Sequence, residues 1–181
     1  YLKSAKAWNM KKFYAPIVIL ILFTSCLGYK GLPVEYDYSY KGNFKKVLGN
    51  NSQRYNVIGL QNTSVGSETL IDNTANDNVA VGYFASRGNT TGTSNTAVGT
   101  QAMVSGTTAN SNTAVGYQSL QNNTGSGITG VGYQAVQNNT GIRTTGFGYR
   151  ALKANTTGSS NTAVGYDALS KNTTGGNNTA V

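Results

Sequence analysis

The sequence predicts an all-β chain, a parallel β-solenoid (β-roll) of 16–17-residue coils, and three observations carry that expectation. The first is a phrase close to Asn-Thr-Ala-Val-Gly-Tyr-Gln-Ala-Leu that recurs from Asn62 to Val181. Its anchoring glycines, Gly66, Gly82, Gly99, Gly116, Gly132, Gly148 and Gly165, stand 16, 17, 17, 16, 16 and 17 residues apart, a regularity that belongs to a repeat array. The second is the residue before each anchor: Val65, Val81, Val98, Val115, Val131, Phe147 and Val164. Six of these seven are β-branched, which favours a pleated strand. The third is the remainder of each copy, which is turn chemistry, as in Asn122-Asn123-Thr124-Gly125. A helical repeat needs about 30 residues or more per copy and tolerates little Gly, Asn and Thr.

Taken in chain order, residues 1–9 read as upstream read-through and Met10 as the start, because an export signal follows it. Lys11 and Lys12 form a basic n-region, residues 17–23 form an apolar run, and Thr24-Ser25-Cys26 comes next, so residues 10–25 are expected to be a signal peptide. The run is far too short to span a membrane. Cys26 is the only cysteine, which rules out an intrachain disulfide. An apolar run and two small residues before a lone Cys resemble the lipobox of bacterial lipoproteins, although Phe23 stands where Leu is usual. The resemblance implies lipidation at Cys26 and a membrane anchor without a spanning helix. Ordinary signal cleavage and a retained segment are the alternatives.

Residues 26–61 read as a tether or N-terminal cap. They are rich in Tyr (Tyr29, Tyr36, Tyr38, Tyr40, Tyr55), and the Tyr-x-Tyr-x-Tyr run is a candidate strand over the open end of the solenoid. Residues 56–59 are a second candidate capping strand.

Residues 62–181 are the array, whose last copy breaks off mid-phrase. Each copy is expected to supply two short strands with the anchor glycine at the corner between them. The valine column and a second apolar column (Leu70, Met103, Leu120, Val136, Leu152, Leu169) are both expected inside. Two residues before the anchor stand Ala80, Ala97, Ala114, Gly130, Gly146 and Ala163, with Ser64 in the first copy; of these small residues Ala97, Ala114, Gly130, Gly146 and Ala163 are the expected contact line between chains. With about 1.5–3 kcal/mol per large buried side chain, two per coil fall short of the ordering cost, so association is expected. Stacked at about 4.8 Å, the copies would span roughly 35 Å.

Asn-Thr-Ala-Val-Gly followed by small residues resembles the head repeats of trimeric autotransporter adhesins. The 16–17-residue period with Asn-Thr-Thr-Gly turns is still more similar to repeats of bacterial and phage tail-fibre-like proteins. The resemblance covers residues 62–181 and implies a β-roll with three chains side by side. The longer period is a departure from the adhesin pattern.

The formal charge of +8 is concentrated at the front: residues 1–54 hold nine Lys and Arg against Glu35 and Asp37, a balance of +7, while residues 55–181 stand at +1. A nearly neutral array argues against nucleic acid as a partner. There is no histidine, and the few carboxylates of the array are scattered, so neither a general base nor a metal cluster is expected, and no cofactor. Asn and Thr columns before the anchor read as ladders bonded between coils. The Thr rank is neighboured by Val rather than by a second Thr, which argues against ice binding. Tyr83, Tyr117, Tyr133, Tyr149 and Tyr166 form an aromatic stripe, either a glycan platform or packing across coils.

Together these readings predict a non-enzymatic, exported protein at the bacterial outer membrane or cell surface. It would be a homo-oligomer that mediates attachment to a host protein, matrix or glycan. The alternative is a fibre-shaft spacer whose receptor-binding or chaperone domain lies beyond residue 181.

Overall fold

The computed structural model describes residues 35–40, 43–49, 51–53 and 59–181, and no helix occurs among them. Cys26 and the signal segment lie outside the described residues, as do most of residues 56–59. The chain forms one sheet in sequence order. β1 (Glu35–Tyr40) pairs antiparallel with β2 (Asn43–Leu48), and β2 pairs in parallel with β3 (Thr63–Val65). From there each coil adds one short parallel strand: β4 (Val79–Val81), β5 (Thr96–Val98), β6 (Thr113–Val115), β7 (Thr129–Val131), β8 (Thr145–Phe147), β9 (Thr162–Val164) and β10 (Thr179–Ala180). The Tyr-x-Tyr-x-Tyr run is thus a strand, and it extends the sheet by one hairpin beyond the first coil.

The fold is a parallel β-solenoid of about seven turns. Register is kept column on column: Ala97 lies beside Ala80 and Ala114, and Val98 beside Val81 and Val115. The anchor glycines end the strands at φ between 124° and 136°, a region closed to residues with a Cβ. Each of them also lies against the next coil. A Cβ on Gly116 would meet the Gly132 carbonyl oxygen at 2.5 Å, and one on Gly148 the Gly165 oxygen at 2.2 Å.

Two expectations about the coil are corrected. Each coil supplies one strand, not two, because the second apolar column lies in a turn of alternating handedness. Leu70, Met103, Leu120, Val136, Leu152 and Leu169 all have φ between 45° and 54°. Residues two after the anchor, among them Gln101, Gln118 and Gln134, are left-handed as well. The second correction concerns direction. The valines point outward and are half-buried, with Val164 38% and Phe147 54% exposed, while the small column points inward: Ala80, Ala97, Ala114 and Ala163 are fully buried. Small residues occupy that column because the interior is narrow. A Cβ on Gly146 would lie 2.5 Å from Val136 Cγ2, and one on Gly130 2.8 Å from Ser119 Oγ. The proposed contact line between chains is therefore core.

The leucine column is buried as expected from Leu70 to Leu152, with Leu169 partly buried against it, and with the alanines it forms the apolar part of the core. The first coil differs. Ser64 and Thr69 replace alanines and are fully buried, and their hydroxyls hydrogen-bond each other and that of Ser52, so the polar exceptions satisfy themselves.

Candidate interaction surface

The interior carries two polar ladders beside the apolar columns. Asn62, Asn78, Asn95 and Asn112 are buried, and each accepts a hydrogen bond from the backbone N–H of the equivalent residue in the next coil: Asn78 N at 2.9 Å, Asn95 N at 3.0 Å, Asn112 N at 3.0 Å and Ile128 N at 2.8 Å. Their amide nitrogens donate to carbonyls of the next coil's turn, as Asn95 Nδ2 does to Ala109 O at 2.8 Å. These side chains staple one coil to the next, as the sequence reading of amide ladders expected. In the later coils Asn161 repeats the arrangement with Asn178 N at 2.9 Å.

A second buried ladder, Asn73, Asn89, Asn123, Asn139 and Asn155, went unrecognised in the sequence although it recurs seven residues after the anchor. It explains how coils of two lengths stack in register. In 16-residue coils the amide donates two residues ahead: Asn73 to Ala75 O (2.8 Å), Asn123 to Gly125 O (2.8 Å) and Asn139 to Gly141 O (2.7 Å). In 17-residue coils it donates three ahead: Asn89 to Gly92 O (2.9 Å) and Asn155 to Gly158 O (2.7 Å). The extra residue is absorbed in the turn between the two ladders. Gly106 holds this column in the coil of Gly99, and Met103 fills the place: a Cβ on Gly106 would meet Met103 Cε at 2.8 Å. Asn89 and Asn155 also head Asn-Thr-Thr triplets, and both are fully buried, held by these turn and inter-coil bonds.

Two ranks are left on the outside of the rod. One is the strand face, with Thr96, Thr113, Thr129 and Thr145 beside Val98, Val115, Val131 and Phe147. The other is the tyrosine stripe. Tyr117, Tyr133, Tyr149 and Tyr166 stack face to face, with centroids 5.4, 5.1 and 4.9 Å apart and ring planes within 13°, 9° and 5°. Thr100 interrupts the stripe, and Tyr83 stacks on Phe84 at 3.9 Å instead. Packing across coils thus accounts for the stripe. A sugar ring stacks on an aromatic face, and within the stack, at Tyr133 and Tyr149, neighbouring rings occupy both faces. A glutamine ladder runs alongside, Gln134 Nε2 to Gln118 Oε1 and Gln118 Nε2 to Gln101 Oε1 both at 2.8 Å.

The charged residues are few and local. Arg87 Nε lies 3.1 Å from Glu68 Oε2 with its guanidinium over the Phe84 ring, and Arg150 Nε lies 3.7 Å from Asp167 Oδ1. Such exposed pairs contribute about 0–1 kcal/mol. Among the described residues there is no group of three or more His, Cys, Asp or Glu that could hold a metal ion, and no helix long and apolar enough to cross a membrane.

In comparisons with protein-family models, curated proteins and solved structures, nothing matches the chain.

Proposed function

We propose that the chain is an exported structural repeat protein, tethered to the bacterial surface by a lipid on Cys26, and that its rod mediates attachment. The observation that carries this reading is the stack itself. Each coil bonds to the next on both its strand and turn sides, as in Gly116 N to Val98 O (2.8 Å) and Gln118 N to Thr100 O (3.1 Å), so length grows without any new kind of contact. Such a rod extends a fixed surface outward and repeats it at every coil. The Lys11-Lys12 pair, the apolar run of residues 17–23 and the small residues before Cys26 support export and anchoring.

The chain is further proposed to associate with copies of itself, trimer-like, through the strand face. Half-exposed valines run the length of the rod there, and Phe147 stands 54% exposed among them. A continuous apolar rank of this kind marks an interaction surface.

Fractionation and protease shaving of cells producing the wild type or Cys26→Ser test the anchor, together with a fatty-acid probe. The wild type should be labelled and shaved from the surface, and Cys26→Ser should lose label and anchoring; equal labelling of both would end this part of the reading. Sedimentation of the wild type and of Val98→Lys/Val131→Lys tests assembly. A folded monomeric wild type would defeat it. Binding of cells to immobilised glycans and matrix proteins, with and without the array, separates attachment from a fibre-shaft spacer.

A further inference from the structure

The geometry points to the tyrosine rank as a modification site: Tyr117, Tyr133, Tyr149 and Tyr166 are placed for oxidative coupling of neighbouring phenols within one chain by a haem peroxidase and hydrogen peroxide. The rings are accessible, with Tyr117, Tyr133 and Tyr149 at 40–43% and Tyr166 at 75% exposure. Their neighbours are fixed. Backbone bonds from Gln134 N to Tyr117 O (2.9 Å), Arg150 N to Tyr133 O (2.8 Å) and Asp167 N to Tyr149 O (2.8 Å) hold successive tyrosines one coil apart. Few other groups in the array compete for an oxidant: residues 62–181 contain no Cys, His or Trp, and their single methionine, Met103, is fully buried.

The chemistry balances. Each of two adjacent phenols gives one electron to the peroxidase's oxidised haem and one proton to solvent, leaving two phenoxyl radicals. Spin density at the ring carbons beside each oxygen joins to form one C–C bond. The hydrogens on those two carbons then leave as the two oxygens regain protons, restoring both aromatic rings. Overall, two ring C–H bonds are broken and one C–C bond is made, and two electrons and two protons reduce one hydrogen peroxide to two waters. Face-to-face stacking also lets a radical formed on one ring pass to the next before it is quenched.

Tyr83 is a control built into the molecule. It is 47% exposed, slightly more than Tyr117, Tyr133 or Tyr149, but Thr100 takes the next place in its rank. Its nearest phenol in the rank is therefore two coils away, about 10 Å.

The test treats the full chain with horseradish peroxidase and hydrogen peroxide and reads biphenol fluorescence, gel mobility under denaturing conditions and tryptic peptides. Cleavage after Arg143, Arg150, Lys153 and Lys171 puts Tyr133, Tyr149 and Tyr166 on separate peptides. The expected product runs as a single chain and yields peptides joined through Tyr133–Tyr149 and Tyr149–Tyr166, with Tyr83 in no such link. Tyr149→Phe keeps the stack and should lose both joined species while Tyr117–Tyr133 coupling persists. Thr100→Tyr completes the rank and should bring Tyr83 into a link. Coupling that joins only separate chains, that uses Tyr83 as often as Tyr149, or that fails to appear would overturn the proposal.

Discussion

On the strand side of a coil, Thr113, Ala114 and Val115 alternate out, in and out, and only the alanine is fully buried; on the turn side, Ser119 and Leu120 are adjacent and both are fully buried. The same contrast recurs in Ala102-Met103, Ala135-Val136 and Ala151-Leu152, each a consecutive buried pair. A pleated strand cannot place two successive side chains on one face. The turn can, because Leu120 at φ 51° reverses the handedness of the residue before it. The strands therefore supply the backbone ladder and an outer face, while the turns supply the large side chains of the core. The narrowness of the rod follows from this division, since only a small residue (alanine, glycine or, in the first coil, Ser64) fits opposite the large side chain delivered by a turn.

The sharpest way to break this arrangement is at the corner joining the two sides. Gly116→Ala combines a forbidden φ of 124° with a Cβ 2.5 Å from the Gly132 oxygen, so a loss of about 4 kcal/mol is expected. Thermal unfolding of the purified variant checks it, and a melting temperature near wild type would contradict the corner's role.

Next in size is the staple between coils. Asn95→Ala would leave the Asn112 N–H and the Ala109 carbonyl without their partner, at about 1–3 kcal/mol each. Denaturant titration measures the total. Faster exchange of the Asn112 amide hydrogen would locate the effect, and unchanged exchange would count against it.

A pair of substitutions then sharpens the contrast between inside and outside. Ala114→Leu overfills the interior and should cost about 1–3 kcal/mol, whereas Val115→Lys, one residue on, should leave the melting temperature of a dilute sample within a degree or two and alter only sedimentation. The reverse pattern would place the valine column inside and the alanine column outside.

The smallest effect concerns Ser86, the one polar residue in the leucine column, whose buried hydroxyl has no hydrogen-bond partner. Ser86→Ala removes the orphan and should raise stability by about 1 kcal/mol, read as a rise in the denaturant midpoint. A fall would mean that the hydroxyl is satisfied.

Much of the external surface was legible in the sequence as columns but not as a face. The tyrosine stripe could be read off directly, since it sits one residue after every anchor but those of Gly66 and Gly99. That its rings stack on each other, and so deny their faces to a sugar, depends on the spacing between coils. The second asparagine ladder was also in the sequence, at a constant offset from the anchor. It was masked by the composition of the turns, where asparagine is common for local reasons and attracts no notice.

By itself the sequence determined the period, the coil, the glycine corner and the first amide ladder. The reason is repetition: a constraint met at one position is met again every 16 or 17 residues, and chance does not imitate that. Tertiary structure alone decided which columns face inward. In a Thr-Ala-Val strand the more apolar residue is the natural choice for the core, and a shift of one residue exchanges the two faces. The left-handed turns bring leucine and asparagine to the interior first and leave room opposite only for a methyl group, so the alanine turns in and the valine turns out.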